Sequence, residues 1–138
     1  MESRSLQPLD KAVMMHTAAE KQKLDGAERL ASYEYTRRVC NGIGADWFPE
    51  WLRNFVGELT PALEPTAWIH DLDYEAGGGA NERWIADRRF LRNGCRAAKS
   101  EYAWDQLRRY ATILTVLRFW VLLRFFGAAA FEWRSREP

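Results

Sequence analysis

Cysteine is scarce: Cys40 and Cys95 are the only two in 138 residues. At most one bridge can form, which excludes the disulfide framework that small secreted domains use in place of a core. Histidine is as rare, and His16 and His70 together with the two cysteines match no paired-ligand spacing for zinc. Net charge is almost absent, 20 Lys and Arg against 19 Asp and Glu for a formal +1, which argues against bulk electrostatic capture of nucleic acid or a strongly acidic substrate. The amino-terminal residues Met1 to Pro8 hold no apolar run of the kind a secretory signal needs, so synthesis in the cytoplasm without a signal peptide is the expectation. Long hydrophobic runs are missing too. The apolar carboxyl-terminal segment is interrupted by Arg118 and Arg124, and its longest uncharged stretch, Tyr110 to Leu117, falls short of the roughly 18 residues that suggest a membrane span. Two central arginines would add roughly 5 to 7 kcal/mol to insertion.

What is abundant is arginine, 16 of the 20 basic residues, and tryptophan, with seven. Both suit phosphate and lipid headgroup contacts, and both also arise from coding bias and core packing. The length fits one domain, residues 1–138, with no internal repeat and no strong strand signal, so the fold class expected is all-α. Residues 10–39 lack proline and read as a long helix starting near an Asp10 cap, with Gly26 as its weak point. Residues 40–65 carry Gly42, Gly44, Gly57, Pro49, Pro61 and Pro65, a punctuated stretch suited to a binding loop. Pro65 fits the first turn of a helix that runs through Tyr74 and is stopped by Gly77-Gly78-Gly79. Asn81 is the expected cap of the next helix, with Trp84, Ile85 and Phe90 at apolar positions. Beyond Gly94, residues 97–126 read as one more helix, with Leu107, Tyr110, Ala111, Leu114, Leu117, Val121 and Phe125 near helical spacing. That helix suits a core or oligomer interface; the alternative is a membrane-surface role for Phe119, Trp120, Phe125, Phe126 and Trp133.

Chemistry concentrates in His70-Asp71-Leu72-Asp73-Tyr74, with Asp87 seventeen residues after the histidine. His70 lies seven residues before Gly77 and Asp87 seven after Ala80, so an antiparallel helical hairpin closed by the glycine turn sets them at similar height. Adjacent on a helix, His70 and Asp71 point about 100° apart and must do different work. One ring nitrogen of His70 can meet Asp87 while the other faces water as a base, and Tyr74, one turn on, can steady Asp87. Asp71 is then left to face the loop at 40–44, where alternate carbonyls of Cys40-Asn41-Gly42-Ile43-Gly44 could wrap a hard cation. A base, an orienting carboxylate and a cation-holding carboxylate make up a metal-assisted hydrolase. A buried polar pair of structural purpose uses the same residues.

Thr66-Ala67-Trp68-Ile69-His70-Asp71-Leu72-Asp73-Tyr74 resembles the active-site helix of phospholipase A2, whose pattern is His-Asp-x-x-Tyr. Ala86-Asp87-Arg88-Arg89-Phe90 resembles the segment bearing that family's orienting aspartate, in the form found in parvovirus capsid-protein and related phage phospholipase domains. The resemblance covers roughly residues 38–95. It implies His70 as general base, Asp87 as its partner and Tyr74 as a supporting donor. It also implies calcium held by Asp71 and the backbone carbonyls of Cys40, Gly42 and Gly44, and hydrolysis of the sn-2 ester of glycerophospholipids at a membrane surface. A virion-associated protein or a delivered effector goes with it; a homo-oligomer or a particle or effector partner through the carboxyl-terminal helix is a separate expectation, drawn from that helix alone. The half-cystines of secreted members are replaced here by Thr66, Ala67, Leu72, Asp73 and Ala86; Ala45 stands where a further loop glycine is usual, and 25 residues separate Gly44 from His70. A non-enzymatic virion or membrane-associated protein that keeps the hairpin without productive calcium is the alternative.

Overall fold

The computed structural model describes residues 8–40 and 61–134, and among them the chain is helical, with no strand. The elements are α1 (Pro8–Lys21), a 3-10 turn (Ala27–Ala31), α2 (Tyr33–Cys40), a 3-10 turn (Pro61–Leu63), α3 (Glu64–Ala76), α4 (Ala80–Glu101), α5 (Leu107–Phe126) and a last 3-10 turn (Gly127–Ala129). The all-α expectation holds. The largest buried cluster draws on every one of the five helices, through residues such as Ala19, Val39, Ile69, Phe90 and Val116.

The single helix expected over residues 10–39 is instead two helices separated by a turn. Lys23 and Gly26 both adopt left-handed backbone, φ 57° and 88°, which an α-helix cannot contain. Asn93 of α4 fixes this turn: its Oδ1 accepts the Asp25 N–H and its Nδ2 donates to the Asp25 carbonyl, both at 2.9 Å. Gly26, the weak point read in the sequence, lies in this turn, and a distant side chain holds the turn in place.

The helix through His70 starts and stops as its prolines and glycines suggest. Pro65 sits in the first turn, where its missing N–H costs nothing, and Gly77 ends α3 with its N–H on the Asp73 carbonyl at 3.1 Å. Gly77 and Gly78 have φ of 67° and 132°, backbone that side-chain-bearing residues rarely adopt. Gly79, rather than Asn81, is the N-cap of α4, and the Glu82 carboxylate accepts its N–H at 3.0 Å. Asn81 lies one residue inside the helix, exposed.

Gly94 does not separate α4 from the next helix, as expected, but lies within α4. There its bare Cα admits Val116 of α5, whose Cγ1 would be 2.6 Å from any Cβ at that position. The break falls later, at Tyr102, whose extended backbone (φ −128°, ψ 136°) ends α4, with Gln106 capping α5. The helix expected over 97–126 is therefore the tail of α4 plus all of α5.

The face by which α5 packs also differs from the spacing singled out in the sequence. Thr112, Val116, Phe119 and Leu123 are buried against α4, whereas Leu107, Tyr110, Leu114, Leu117, Val121 and Phe125 face outward. Of the aromatic residues considered for a membrane surface, Phe119 stacks on Phe90 (centroids 5.4 Å apart) and Trp120 packs edge-on to Trp84 (6.2 Å). Phe119 is buried and Trp120 partly buried against the core, while Phe125, Phe126 and Trp133 are exposed. By length and hydropathy Leu107–Ala129 is apolar enough to cross a membrane, the two arginines notwithstanding.

Beyond α5 the chain returns to the glycine turn. Gly78 donates to the Glu132 carbonyl (3.0 Å), Arg134 donates to that of Gly78 (2.9 Å) and Glu132 to that of Tyr74 (3.2 Å). An isolated bridge between Gly78 and Trp133 results. This strap closes over the end of the α3–α4 pair and sets the floor of the site.

Candidate functional site

Helices α3 and α4 bring together the three residues that the sequence singled out as a unit. His70 Nε2 lies 2.9 Å from Asp87 Oδ1, and the Tyr74 hydroxyl donates to the same oxygen at 2.6 Å. Helical spacing allows this: His70 and Tyr74 share a face four residues apart, their ring centroids 4.1 Å apart and the rings tilted 45° to each other, and both reach one carboxylate on the facing helix. Phe90 closes edge-on against His70 at 5.2 Å and Phe131 against Tyr74 at 5.2 Å. The assembly is sunk in the protein, with Asp87 0% and His70 6% exposed.

The tautomer of His70 follows from its partner. An ionised carboxylate only accepts, so Nε2 must carry the proton, and in neutral imidazole Nδ1 is then the basic lone pair. No described residue hydrogen-bonds Nδ1. The ring is thus oriented by one nitrogen and has no partner among the described residues at the other, the arrangement that a general base requires.

Asp87 stays ionised despite its burial. Desolvation pushes its pKa upward, but the hydrogen bonds from His70 and Tyr74, the charge of His70 and the hydrogen bond from Arg124 outweigh it and hold the carboxyl below its ordinary value. The same contacts act inversely on Tyr74, whose hydroxyl is pushed up by burial first and by its bond to Asp87 second, so that it remains a donor.

Two arginines at this carboxylate went unrecognised in the sequence. Arg124 of α5 places Nη1 2.6 Å from Asp87 Oδ2, with its guanidinium 5.0 Å from the centroid of the Trp84 ring. Arg83, one turn before Asp87, comes within 4.0 Å of Oδ2 through Nε. Its Nη2 donates to the carbonyls of Leu123 and Arg124, at 2.6 and 3.0 Å, satisfying the carboxyl-terminal end of α5. The i, i+4 spacing of Arg83 and Asp87 was a readable signal. For Arg124 the only signal was an arginine inside an apolar helix, which must find an anion or reach water.

Asp71 points elsewhere, as its 100° offset from His70 requires. The residue as a whole is exposed although its carboxylate is desolvated, and it makes no hydrogen bond or ion pair among the described residues. Protein packed around the carboxylate pushes its pKa up to about 6, an effect that the charge of His70 opposes. Cys40, at the end of α2, lies near enough for Asp71 to add to the burial that pushes its thiol up, and its Sγ contacts the Trp68 carbonyl at 3.5 Å. The charge of Asp71 therefore acts at the end of α2, where the candidate loop begins. Gly42 and Gly44, the other candidate ligands, lie outside the described residues. Among the described residues no cluster of three or more His, Cys, Asp or Glu side chains could hold a metal. Cys40 and Cys95 are both free thiols.

Asp73, two residues further along α3, is purely architectural. Arg29 and Arg89 both donate to its Oδ1, the latter at 2.7 Å, and Arg89 reaches on to Asp25 at 3.0 Å, joining the first 3-10 turn to α3 and α4. No family model, curated protein or solved structure matches this chain.

Proposed function

We propose that this protein is a calcium-dependent, phospholipase A2-like ester hydrolase that cleaves the sn-2 ester of glycerophospholipids at a membrane surface. The observation that carries the reading is the His70–Asp87–Tyr74 relay: one carboxylate oxygen takes both the imidazole Nε2 and the tyrosine hydroxyl, leaving Nδ1 as the base. In the reaction, Nδ1 removes a proton from water and the hydroxide so formed adds to the ester carbonyl. The tetrahedral adduct collapses by breaking the bond to the glycerol oxygen, and His70 returns its proton there, giving a lysophospholipid and a fatty acid. Asp87 stabilises the imidazolium while the proton is held and keeps the ring in one tautomer. Tyr74 holds Asp87 in register, and Arg124 keeps it ionised. Calcium, held by Asp71 with the backbone carbonyls of Cys40, Gly42 and Gly44, would supply positive charge to the phosphate and the developing oxyanion.

A second reading has its own support. Asp87 is fully buried and saturated by three strong donors, as expected of a carboxylate whose work is to pin α3, α4 and α5 together. On that reading the chain is a non-enzymatic virion or membrane-associated protein. Hydrolysis of mixed-chain phospholipid, followed as fatty acid released from the sn-2 position with calcium and with a chelator, separates the two. The phospholipase reading expects calcium-dependent release from the parent and a loss of several orders of magnitude in His70→Asn, which cannot act as a base yet preserves size. Absence of release by the folded parent in calcium, or equal release by His70→Asn, would leave the structural reading standing.

A further inference from the structure

We propose that the outward face of α5 is a docking surface for an anionic phospholipid bilayer, with the helix lying along the headgroup plane instead of crossing it. Leu107, Tyr110, Leu114, Leu117, Val121 and Phe125 are spaced 3, 4, 3, 4 and 4 residues apart, so they form one narrow stripe about 27 Å long. Each is between 43% and 83% exposed, although the opposite side of the same helix is packed into the core. A helix apolar on both faces has one face too many for a protein surrounded by water.

Charge identifies what covers it. The hairpin Ala80–Phe126 contains ten Lys and Arg against four Asp and Glu, a net +6 in a chain whose total is +1. Helix α5 itself has four arginines and no acidic residue, and Arg108 and Arg118 are exposed on it, as are Arg88 and Arg92 on α4. Apolar and aromatic side chains set among arginines suit the boundary between acyl chains and anionic headgroups, where each basic residue adds to binding. Trp104, 74% exposed just ahead of α5, lies where an indole anchors at such a boundary.

The same charge opposes the other occupants. In an isologous pair of chains the exposed Arg108 and Arg118 of α5 would face their own copies with no acidic residue on the helix to answer them, and like charges would oppose the contact. A crossing helix would have to carry α4, with Arg88, Arg92 and Arg96, into hydrocarbon or else surrender the Arg124–Asp87 contact. Lying flat keeps both.

The assignment deepens the phospholipase reading, on which its purpose rests, by naming the surface that carries the site to its substrate; the contact itself needs no catalysis. The test uses the full chain and vesicles of ether-linked lipids, which have no ester to cleave, in chelator. Phosphatidylcholine vesicles are compared with vesicles that also contain phosphatidylglycerol, and bound protein is measured by flotation. Binding at least tenfold tighter to the anionic vesicles is expected. It should fall about fivefold in Arg118→Gln and by tenfold or more in Leu114→Gln/Leu117→Gln, which changes exposed positions and so keeps the parent's helical circular dichroism. Equal affinity for both vesicles, or parent-like affinity of the double variant, overturns the proposal. So does a dimer in sedimentation that the double variant abolishes, or resistance of the bound protein to alkaline extraction, which would mark a crossing helix. Calcium-dependent hydrolysis enters none of these readouts, so failure of the phospholipase reading would be seen separately.

Discussion

Replacing Asp87 by Asn changes one oxygen to an amide and should cost far more than the change of shape suggests. The carboxylate receives His70 at 2.9 Å, Tyr74 at 2.6 Å and Arg124 at 2.6 Å, and is itself 0% exposed. Breaking a buried ion pair by removing one partner costs roughly 3 to 5 kcal/mol. Arg124 keeps 28% of its side-chain surface and can recover some water, which places the expected loss near the lower end, about 3 kcal/mol. For a chain of this size that corresponds to a melting temperature lower by about 10 °C at neutral pH. The pH dependence carries a sign. Asp87 titrates below its ordinary value of 3.8 in the folded protein, so its stabilisation is complete above that value and is lost as pH falls through the folded one. The gap between parent and variant, measured by calorimetry or urea melts, should therefore be constant from neutral pH down to about 4 and close below it. Adding Arg124→Gln to Asp87→Asn should cost much less than Arg124→Gln in the parent, since the anion it served is gone. A variant melting within about 2 °C of the parent at neutral pH, or full additivity with Arg124→Gln, would refute the account of Asp87 as an ionised hub. On the enzymatic reading the same variant loses turnover while keeping its calcium affinity.

Asp71→Asn should do the opposite, weakening calcium binding by calorimetry without lowering the melting temperature, because the carboxylate has no described partner and its desolvation already disfavours the charged form in the fold. Calcium affinity of the parent should hold above pH 6 and fall by about tenfold per pH unit below it, as protons compete for a carboxyl pushed up to about 6; affinity flat down to pH 5 would remove Asp71 from the site. Gly94→Ala should destabilise by roughly 1 to 3 kcal/mol in urea melts, since its Cβ would lie 2.6 and 2.7 Å from the two Val116 Cγ atoms, which are buried and branched and have little room to give; an unchanged midpoint would contradict that close approach. Truncation after Arg109 removes the buried Val116, Phe119 and Leu123, each worth roughly 1.5 to 3 kcal/mol, together with Arg124, and should yield an unfolded or aggregated protein by circular dichroism and light scattering. A soluble, folded truncation would mean that α5 is an appendage.

The parts of the fold that could be read from the sequence are those whose cause is local. Pro65 opens α3 and Gly77 closes it through their own backbone constraints, and the equal offsets of His70 and Asp87 from the glycine turn are enough to place them opposite one another. Helix ends set at a distance were less readable. The break after α1, at the weak point Gly26, is held by Asn93, sixty-eight residues from the Asp25 backbone that it bonds. Gly94 looked like a helix end because glycine near an apolar run is usually punctuation, whereas here its missing side chain serves a packed helix.

The most instructive departure is in α5, where spacing found a real stripe and assigned it no side. Periodicity measures how apolar residues repeat along a helix; it is blind to which of two apolar faces meets the protein. In α5 both exist, with the buried set of Thr112, Val116, Phe119 and Leu123 including a threonine and showing fewer large aliphatics than the exposed one. What decides between them is Arg124, since the helix can turn only the way that delivers this guanidinium to Asp87. Once Arg124 is so committed, Phe119 is carried to Phe90 and Val116 to Gly94, and the stripe from Leu107 to Phe125 is forced outward. The contact that completes the candidate site is thus the same one that leaves an apolar, arginine-flanked surface facing away from the protein. Site and surface are tied to each other through α5, by the Arg124–Asp87 ion pair together with the Arg83 contacts to the Leu123 and Arg124 carbonyls and the packing of Phe119 on Phe90, and a change at Arg124 should disturb both together.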